Sequence, residues 1–300
     1  MKRVIIKVFK FFFICIVFVF GFSFGHYKYP PYYQIAGAKA YVTNSLSSDL
    51  TKFSTCSLPK SFEVINDSHA FLGHAYGSPR KMKISNGLAK NAMEFITNNK
   101  SKLRSITFTG DVFSSPSLDK WKSLRQKTND NLEIFVAPGN SDILRLDSRD
   151  IFQISEFGQQ KYPFLEYFDG TPVILEDSIS NSWEVSNATL DLANNIDSKM
   201  VIIARHNMPT SDLLSLANSK SGKSSNLSSV EKLIQRFDKD KFFYWVIGDS
   251  GAFPHLPRLS CLAFKNHIFI VNGIGEVPGD AVVLFHKGKF YEYEIESTQS

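Results

Sequence analysis

From about residue 60 onward the chain alternates short continuous apolar runs with stretches in which apolar residues recur every three or four positions, the pattern of strands alternating with helices. The runs 62–66, 105–109, 132–137, 172–176, 200–204 and 242–247 predict strands. The stretches 84–98, 118–127, 183–195 and 230–237 predict helices, the last with Ser228 as N-cap. Beyond Pro257 the spacing changes to close β runs at 259–264, 267–272, 281–286 and 290–294, with Lys287-Gly288-Lys289 as a hairpin turn. The pattern is that of an α/β protein with an antiparallel β ending.

The opening, MKRVIIKVFKFFFICIVFVFGFSFG, is different in kind. A basic flank precedes an apolar stretch over 11–24, which reaches back to Val4 if Lys7 and Lys10 extend their ammonium groups to the interface. A spanning helix wants about 20 apolar residues, and a cleavable signal wants a shorter apolar core before small residues. We read 1–25 as an uncleaved anchor in the cytoplasmic membrane, with secretion after cleavage near Gly25 as the alternative. The positive flank stays in the cytoplasm, so the rest of the chain is expected on the extracytoplasmic, periplasmic side. A Pro- and Tyr-rich linker and lead-in then covers 26–58, and the main domain covers 59–297.

The formal net charge of +5 includes Lys2, Arg3, Lys7 and Lys10, so the exported part carries only about +1. No nucleic-acid partner is expected, because phosphate-backbone binding needs a concentrated basic surface. Cys15 lies in the apolar opening. Cys56 and Cys261 have the option of one disulfide, but two cysteines in so long a chain are expected to sit apart as small buried hydrophobes. The 218–229 segment, rich in Ser, Asn and Lys, reads as a surface loop. The aromatic "KYPFLEYFDG" reads as core packing rather than a substrate-facing insert.

In open α/β sheets ligands bind outside the carboxyl ends of strands. The first predicted strand ends in Asn66-Asp67-Ser68-His69, the second in Gly110-Asp111, and the third in Gly139-Asn140-Ser141-Asp142. The fifth ends in Arg205-His206-Asn207 and the sixth in Gly248-Asp249. Any one of these is an ordinary turn. Five together place oxygen and imidazole donors at one edge, which is what a pair of divalent ions requires.

The order Asp-x-His, Gly-Asp, Gly-Asn-x-Asp, His and a late Gly-initiated motif resembles the calcineurin-like metallophosphoesterase superfamily over most of 60–295. Asp177-Ser178 ahead of a helix containing Trp183, and the strand "MVIIARHNMP", add to the likeness. The resemblance implies an α+β-type four-layer sandwich of two mixed β-sheets flanked by helices. It implies Asp67 and His69 on a first metal, Asp111 bridging, and Asn140 and His206 on a second. Two divalent ions (Mn²⁺, Fe²⁺, Mg²⁺ or Zn²⁺) about 3.5 to 4 Å apart would activate a bridging water and clamp a phosphoryl group. The implied activity is hydrolysis of a phosphate mono- or diester. The membrane address suggests a phosphorylated small molecule, glycan or lipid as substrate.

Two motifs depart from the family. Ser141 stands where its Gly-Asn-His-Asp motif has a histidine, and a hydroxyl cannot share a proton near neutral pH, so a general acid worth about 10²- to 10⁴-fold is missing. Asp142, which would orient that histidine, is left to cap the following helix. Gly248-Asp249-Ser250-Gly251 stands in place of Gly-His-x-His. Asp249 is the candidate replacement for the first imidazole, giving a harder shell suited to Mn²⁺ or Mg²⁺. Gly251 replaces the second with nothing, and His74 and His255 are substitutes only if they are not plain loop residues.

A Gly-Asp-Ser serine esterase using Ser250 is the weakest competitor, since only about fifty residues follow and they read as β hairpins without an Asp-x-x-His. The stronger one is a catalytically impaired metallophosphoesterase fold that binds its ligand without cleaving it.

Overall fold

The computed structural model describes residues 54–76, 87–128, 132–213, 228–249, 259–275 and 279–295. All fall in one compact unit, Ser48–Ser300. The expected anchor and most of the linker lie outside the described residues, among which no helix is long and apolar enough to cross a membrane.

The described strands form two mixed sheets. One has seven strands in the order β1 (Ser54–Thr55), β10 (Leu259–Phe264), β11 (His267–Asn272), β9 (Phe242–Ile247), β8 (Met200–Arg205), β7 (Thr171–Leu175) and β6 (Phe164–Phe168). The other has six, in the order β2 (Lys60–Ser61), β13 (Lys289–Glu294), β12 (Ala281–His286), β3 (Ser68–Leu72), β4 (Leu103–Phe108) and β5 (Glu133–Val136). β3, β4 and β5 run parallel, as do β7, β8, β9 and β11. Antiparallel β12 lies along β3, and the β1 and β6 edges close the larger sheet antiparallel.

Side chains alternate between faces along each strand, and that alternation divides the interior into three layers of apolar packing. Ala70, Leu72, Val282 and Leu284 face α1 (Lys90–Asn99), α2 (Leu118–Lys127), the short α3 (Asn140–Ile143) and α4 (Leu146–Ile154) through Phe95, Trp121, Ile143 and Phe152. Val201, Ile203, Phe243 and Trp245 face α5 (Asn187–Asn195) and α6 (Ser228–Ile234). The intervening residues Phe71, Ile202, Ala204, Val246, Ile270, Val283 and Phe285 meet between the sheets. Strands buried on both faces explain why these segments read as unbroken apolar runs. The molecule is therefore an α/β protein of two mixed sheets with flanking helices.

Most predicted elements appear at or near their expected places, and 118–127 and 242–247 coincide with α2 and β9. The first predicted strand does not exist. Residues 62–66 form turns, with Phe62 96% exposed, and the buried strand is Ser68-His69-Ala70-Phe71-Leu72. The run over 62–66 resembled a strand because it is largely apolar, and Val64 does enter the core, but the segment pairs with no neighbouring strand. The helix expected over 183–195 begins at Asn187, because the Ser186 hydroxyl accepts the Thr189 N–H at 3.0 Å and fixes the N-cap there. The helix expected over 84–98 begins at Lys90, although 84–86 lie outside the described residues. The aromatic segment forms the β6–β7 hairpin at a sheet edge, with Phe168 buried and Tyr167 exposed. His286 pairs with Lys289, so the last turn is the two residues Lys287-Gly288, both left-handed.

Cys56 and Cys261 do not sit apart. β1 pairs with β10, the Cys56 N–H donates to the Cys261 carbonyl at 3.0 Å, and the Cα atoms stand 4.9 Å apart in a disulfide. Pairing of a two-residue edge strand with β10 is a tertiary event that spacing in the chain does not disclose.

Candidate functional site

The carboxyl ends of parallel strands from both sheets meet at one point. His74 follows β3, Asp111 follows β4, Asn140 follows β5, His206 follows β8 and Asp249 follows β9. Backbone bonds tie these ends together: His74 N–H to Gly110 O at 3.1 Å, Thr109 N–H to Leu72 O at 2.9 Å, and Gly248 N–H to the Arg205 and His206 carbonyls at 3.2 Å. Two glycines make the approach possible. A Cβ on Gly248 would lie 1.8 Å from the Thr109 carbonyl oxygen, and one on Gly110, at φ +86°, would lie 2.5 Å from the His206 ring. The Gly-Asp spelling at both strand ends is thus a packing requirement before it is a chemical one.

The His206 ring spans the two sheets. Its Nδ1–H donates to the Thr109 carbonyl at 3.0 Å, an atom that only accepts, so the tautomer is set and Nε2 carries the lone pair. Nε2 faces Asn140 Oδ1 at 3.2 Å and Asp111 Oδ1 at 3.6 Å, two further oxygens. An imidazole lone pair among acceptors is stable only with a proton or a metal cation between them. Burial alone would lower the His206 pKa, but the Asp111 and Asp249 carboxylates and the Thr109 carbonyl raise it above the ordinary value.

Asp111 is buried at φ 54° and its Oδ1 accepts the Ser141 N–H at 2.8 Å. Burial opposes its ionisation, yet His206 and His74 on either side, with the Ser141 contact, hold its pKa below the usual carboxylate value. His74 Nε2 stands 3.4 Å from Asp111 Oδ2, and Tyr76 packs against His74 with ring centroids 4.3 Å apart. Burial and the Asp111 charge push the Tyr76 phenol pKa well up, so it remains a donor. Asp249 Oδ2 accepts from the Asn207 carboxamide at 3.2 Å. Asp142, fully buried, accepts N–H groups of Gly139 at 2.9 Å, Val112 at 3.1 Å and Phe113 at 3.3 Å. It joins the loops after β4 and β5, the capping role expected for it extended across two strands. Its burial and the nearby Asp111 charge raise its pKa to about 7.

The structure brings together Asp111, Asn140, Ser141, Asp142 and His206, with Asp249 near enough for its charge to raise the His206 pKa. It does not bring Asp67 and His69. Both lie at the amino end of β3, where the Asp67 N–H meets Lys102 O at 2.7 Å and the Ser105 hydroxyl, low on β4, lies 2.7 Å from His69 Nδ1. Placing the first strand over 62–66 put their side chains at the wrong end of β3, the length of a strand from Asp111. The assignment of Asp67 and His69 as ligands beside Asp111 is corrected accordingly. Ser105, His69 and Asp169, with His69 Nε2 3.6 Å from Asp169 Oδ1, fall in the order of a serine-hydrolase triad. Ser105 is wholly buried, however, so no substrate carbonyl reaches it.

His74, Tyr76 and Asn207 were missed or undervalued as site residues. The signal for the first two was Ala70-Phe71-Leu72-Gly73, a compact apolar run closed by glycine, with His and Tyr at the spacing of the Asp-x-His motif. Ser250 and His255 lie outside the described residues.

Asp111 Oδ1, Asn140 Oδ1 and His206 Nε2 are the donors placed for one ion: His206 Nε2 stands 3.2 Å from Asn140 Oδ1 and 3.6 Å from Asp111 Oδ1, the first within and the second just beyond the roughly 3 to 3.5 Å between neighbouring donors around a divalent cation. They do not supply a second ion's ligands. Among the described residues no three His, Cys, Asp or Glu side chains are grouped so as to hold a metal ion by themselves, and the candidate set includes the carboxamide of Asn140. No protein-family model matches the chain, and no curated protein matches it either.

Proposed function

We propose that the protein is a membrane-anchored, extracytoplasmic phosphoesterase of metallophosphoesterase type that works with one divalent ion, held by Asp111, Asn140, His206 and Asp249. The observation that carries this reading is the His206 lone pair, fixed by Thr109 and aimed between two oxygen acceptors. Such an ion would polarise a phosphoryl oxygen and bring a bound water toward neutral pKa. Asp111 provides the fixed negative charge, Asn140 a neutral oxygen, and His206 a nitrogen of set tautomer. His74 and Tyr76 stand on the other side of Asp111, where the resemblance would put the first ion's ligands. An imidazole and a phenol offer hydrogen-bond donors to a phosphate oxygen in place of a second cation. The Cys56–Cys261 disulfide supports the address, since such bonds persist in oxidising compartments.

Ligand binding without hydrolysis is the second reading, favoured by Ser141 in the general-acid position. Elemental analysis of the full-length protein in detergent, followed by assay of bis(4-nitrophenyl) phosphate with Mn²⁺, separates the two. One ion per chain with hydrolysis is expected. Bound ion without hydrolysis selects the second reading, and no bound ion with any divalent metal overturns both.

A further inference from the structure

Beside the strand-end cluster opens a cavity of about 640 Å³ whose floor includes Asn140, Asn207 and Asp249 and whose wall is Trp183. This indole is 55% exposed, whereas Trp121 and Trp245 are 1% and 0% exposed. Exposure of the largest apolar side chain at the wall of an open cavity is unusual enough to need a cause.

The backbone beneath it is held by a set of polar contacts. Ser182 and Trp183 are consecutive non-glycine residues in the left-handed region, at φ 53° and 72°. The Trp183 N–H donates to Ser178 O at 2.8 Å, and its carbonyl accepts from the Arg205 guanidinium. Arg205 is wholly buried and donates to Glu176 Oε2 at 2.8 Å, while Glu176 Oε1 accepts the Ser186 N–H at 2.8 Å and the Thr189 hydroxyl at 2.9 Å. This buried ion pair, with both carboxylate oxygens of Glu176 bonded, clamps both ends of the turn that carries the indole. Asp177 stiffens the same turn by accepting the Ile179 and Ser180 N–H groups at 2.9 Å.

We propose that Trp183 is the platform for a sugar ring of the substrate, so that the group beside the phosphate is a pyranose. The proposal rests on the phosphoesterase reading only for where the phosphate lies. The indole face suits the axial C–H face of a pyranose. Around it stand Ser182, Glu184, Thr210, Ser211 and Asn207, hydroxyl, carboxylate and carboxamide groups that match a ring of hydroxyls; a carboxylate accepts from two vicinal hydroxyls at once. Trp183 is the only aromatic residue lining the cavity among the described residues, so a nucleobase would have to take Leu144, Met208 or Pro209 as its second face, which the AMP probe tests. Leu144, Met208 and Pro209 also line the cavity, so an acyl chain is the competing occupant and the lipid probe tests it.

The test is tryptophan emission of the full-length protein in detergent, where the burial of Trp121 and Trp245 makes Trp183 the reporter. Maltose and chitobiose are titrated without phosphate, with AMP and dihexanoyl phosphatidylglycerol as the base and acyl probes. A saturable change with at least one disaccharide is expected. By calorimetry Trp183→Ala should weaken that disaccharide at least about tenfold and Trp183→Phe less, with unchanged melting of the Phe variant as the folding control. No response to either disaccharide, a response to AMP or the lipid alone, or full affinity in Trp183→Ala overturns the proposal. Because no metal or turnover enters the readout, sugar binding by a protein that hydrolyses nothing would sink only the phosphoesterase reading.

Discussion

The two ends of β3 carry nearly the same residue types and use them in opposite ways. At the carboxyl end, His74 and His206 flank Asp111, and each ring lies within 3.6 Å of a carboxylate oxygen. At the amino end, His69 lies 3.6 Å from Asp169, yet its ring stacks on Phe168 at 4.1 Å with an interplanar angle of 4°. Burial lowers the His69 pKa to about 4, against the raising effect of Asp169, so it is a neutral core residue at physiological pH. At His206 the carboxylates outweigh burial; at His69 burial outweighs the carboxylate. What differs is charge density: His206 has Asp111, Asp249 and Asp142 acting on it, and His69 has one carboxylate that also accepts the Lys287 N–H. Histidine and aspartate together do not make a site; convergence of several carboxylates on one ring does.

The largest contrast is expected in metal affinity. Asp111→Asn removes the charge between His74 and His206 and should weaken Mn²⁺ binding by more than about 100-fold in calorimetry, since even outer partners of ligands are worth 10- to 100-fold. His69→Gln in the same titration should leave affinity unchanged. Equal losses in the two variants would mean that the ends of the strand are not functionally distinct.

Packing gives the next contrast. Gly248→Ala drives a methyl group into the Thr109 carbonyl, a backbone atom that cannot swing aside. A loss of about 3 kcal/mol is expected in denaturant unfolding, at the upper end of overpacking costs. At the other end the β6–β7 turn residue Gly170 has nothing within 4 Å of its Cβ position, so steric crowding there costs nothing.

Much of the fold was legible because buried strands and amphipathic helices announce themselves locally. The β8 and β9 runs and the late hairpin strands are continuous apolar segments bounded by turns, and the structure keeps them. What failed was the choice between two adjacent runs, 62–66 and 68–72, the second disguised by Ser68 and His69. Their burial depends on Ser105 and Phe168, residues 36 and 99 positions away. That single displacement moved Asp67 and His69 to the wrong edge while leaving Asp111, Asn140 and His206 where their own strands put them. The disulfide and the Arg205–Glu176 clamp were invisible for the same reason, being contacts between distant elements.

The amino end has a pH signature of its own. Above pH 6.5 His69 is neutral folded or unfolded. From pH 6.5 down to about 4 the unfolded chain takes a proton that the folded state refuses, so stability falls across that window and levels off below it. His267, held near pKa 3 by burial, acts in the same direction and extends the decline. His69→Gln should remove roughly 2 to 3 kcal/mol of the pH-dependent loss in urea unfolding at pH 7 and pH 4. A variant whose stability still falls as steeply as the wild type would show that His69 is not the buried neutral ring described.

The smallest expected effect discriminates most sharply between the sequence reading and the structure. Asp67→Asn keeps the left-handed backbone at φ 59°, which asparagine tolerates, and keeps the N–H that meets Lys102. Only the negative charge is lost, at the rim of the roughly 870 Å³ cavity that also contains Lys102, Arg104 and Lys287. Were Asp67 a ligand of a metal shared with Asp111, this substitution would cost as much affinity as Asp111→Asn. At the far end of β3 it should change Mn²⁺ affinity by less than about twofold and stability by no more than about 0.5 kcal/mol. Calorimetry of the two aspartate variants side by side therefore decides which end of the strand holds the ion, and a matched loss would return the Asp67-x-His69 motif to the site.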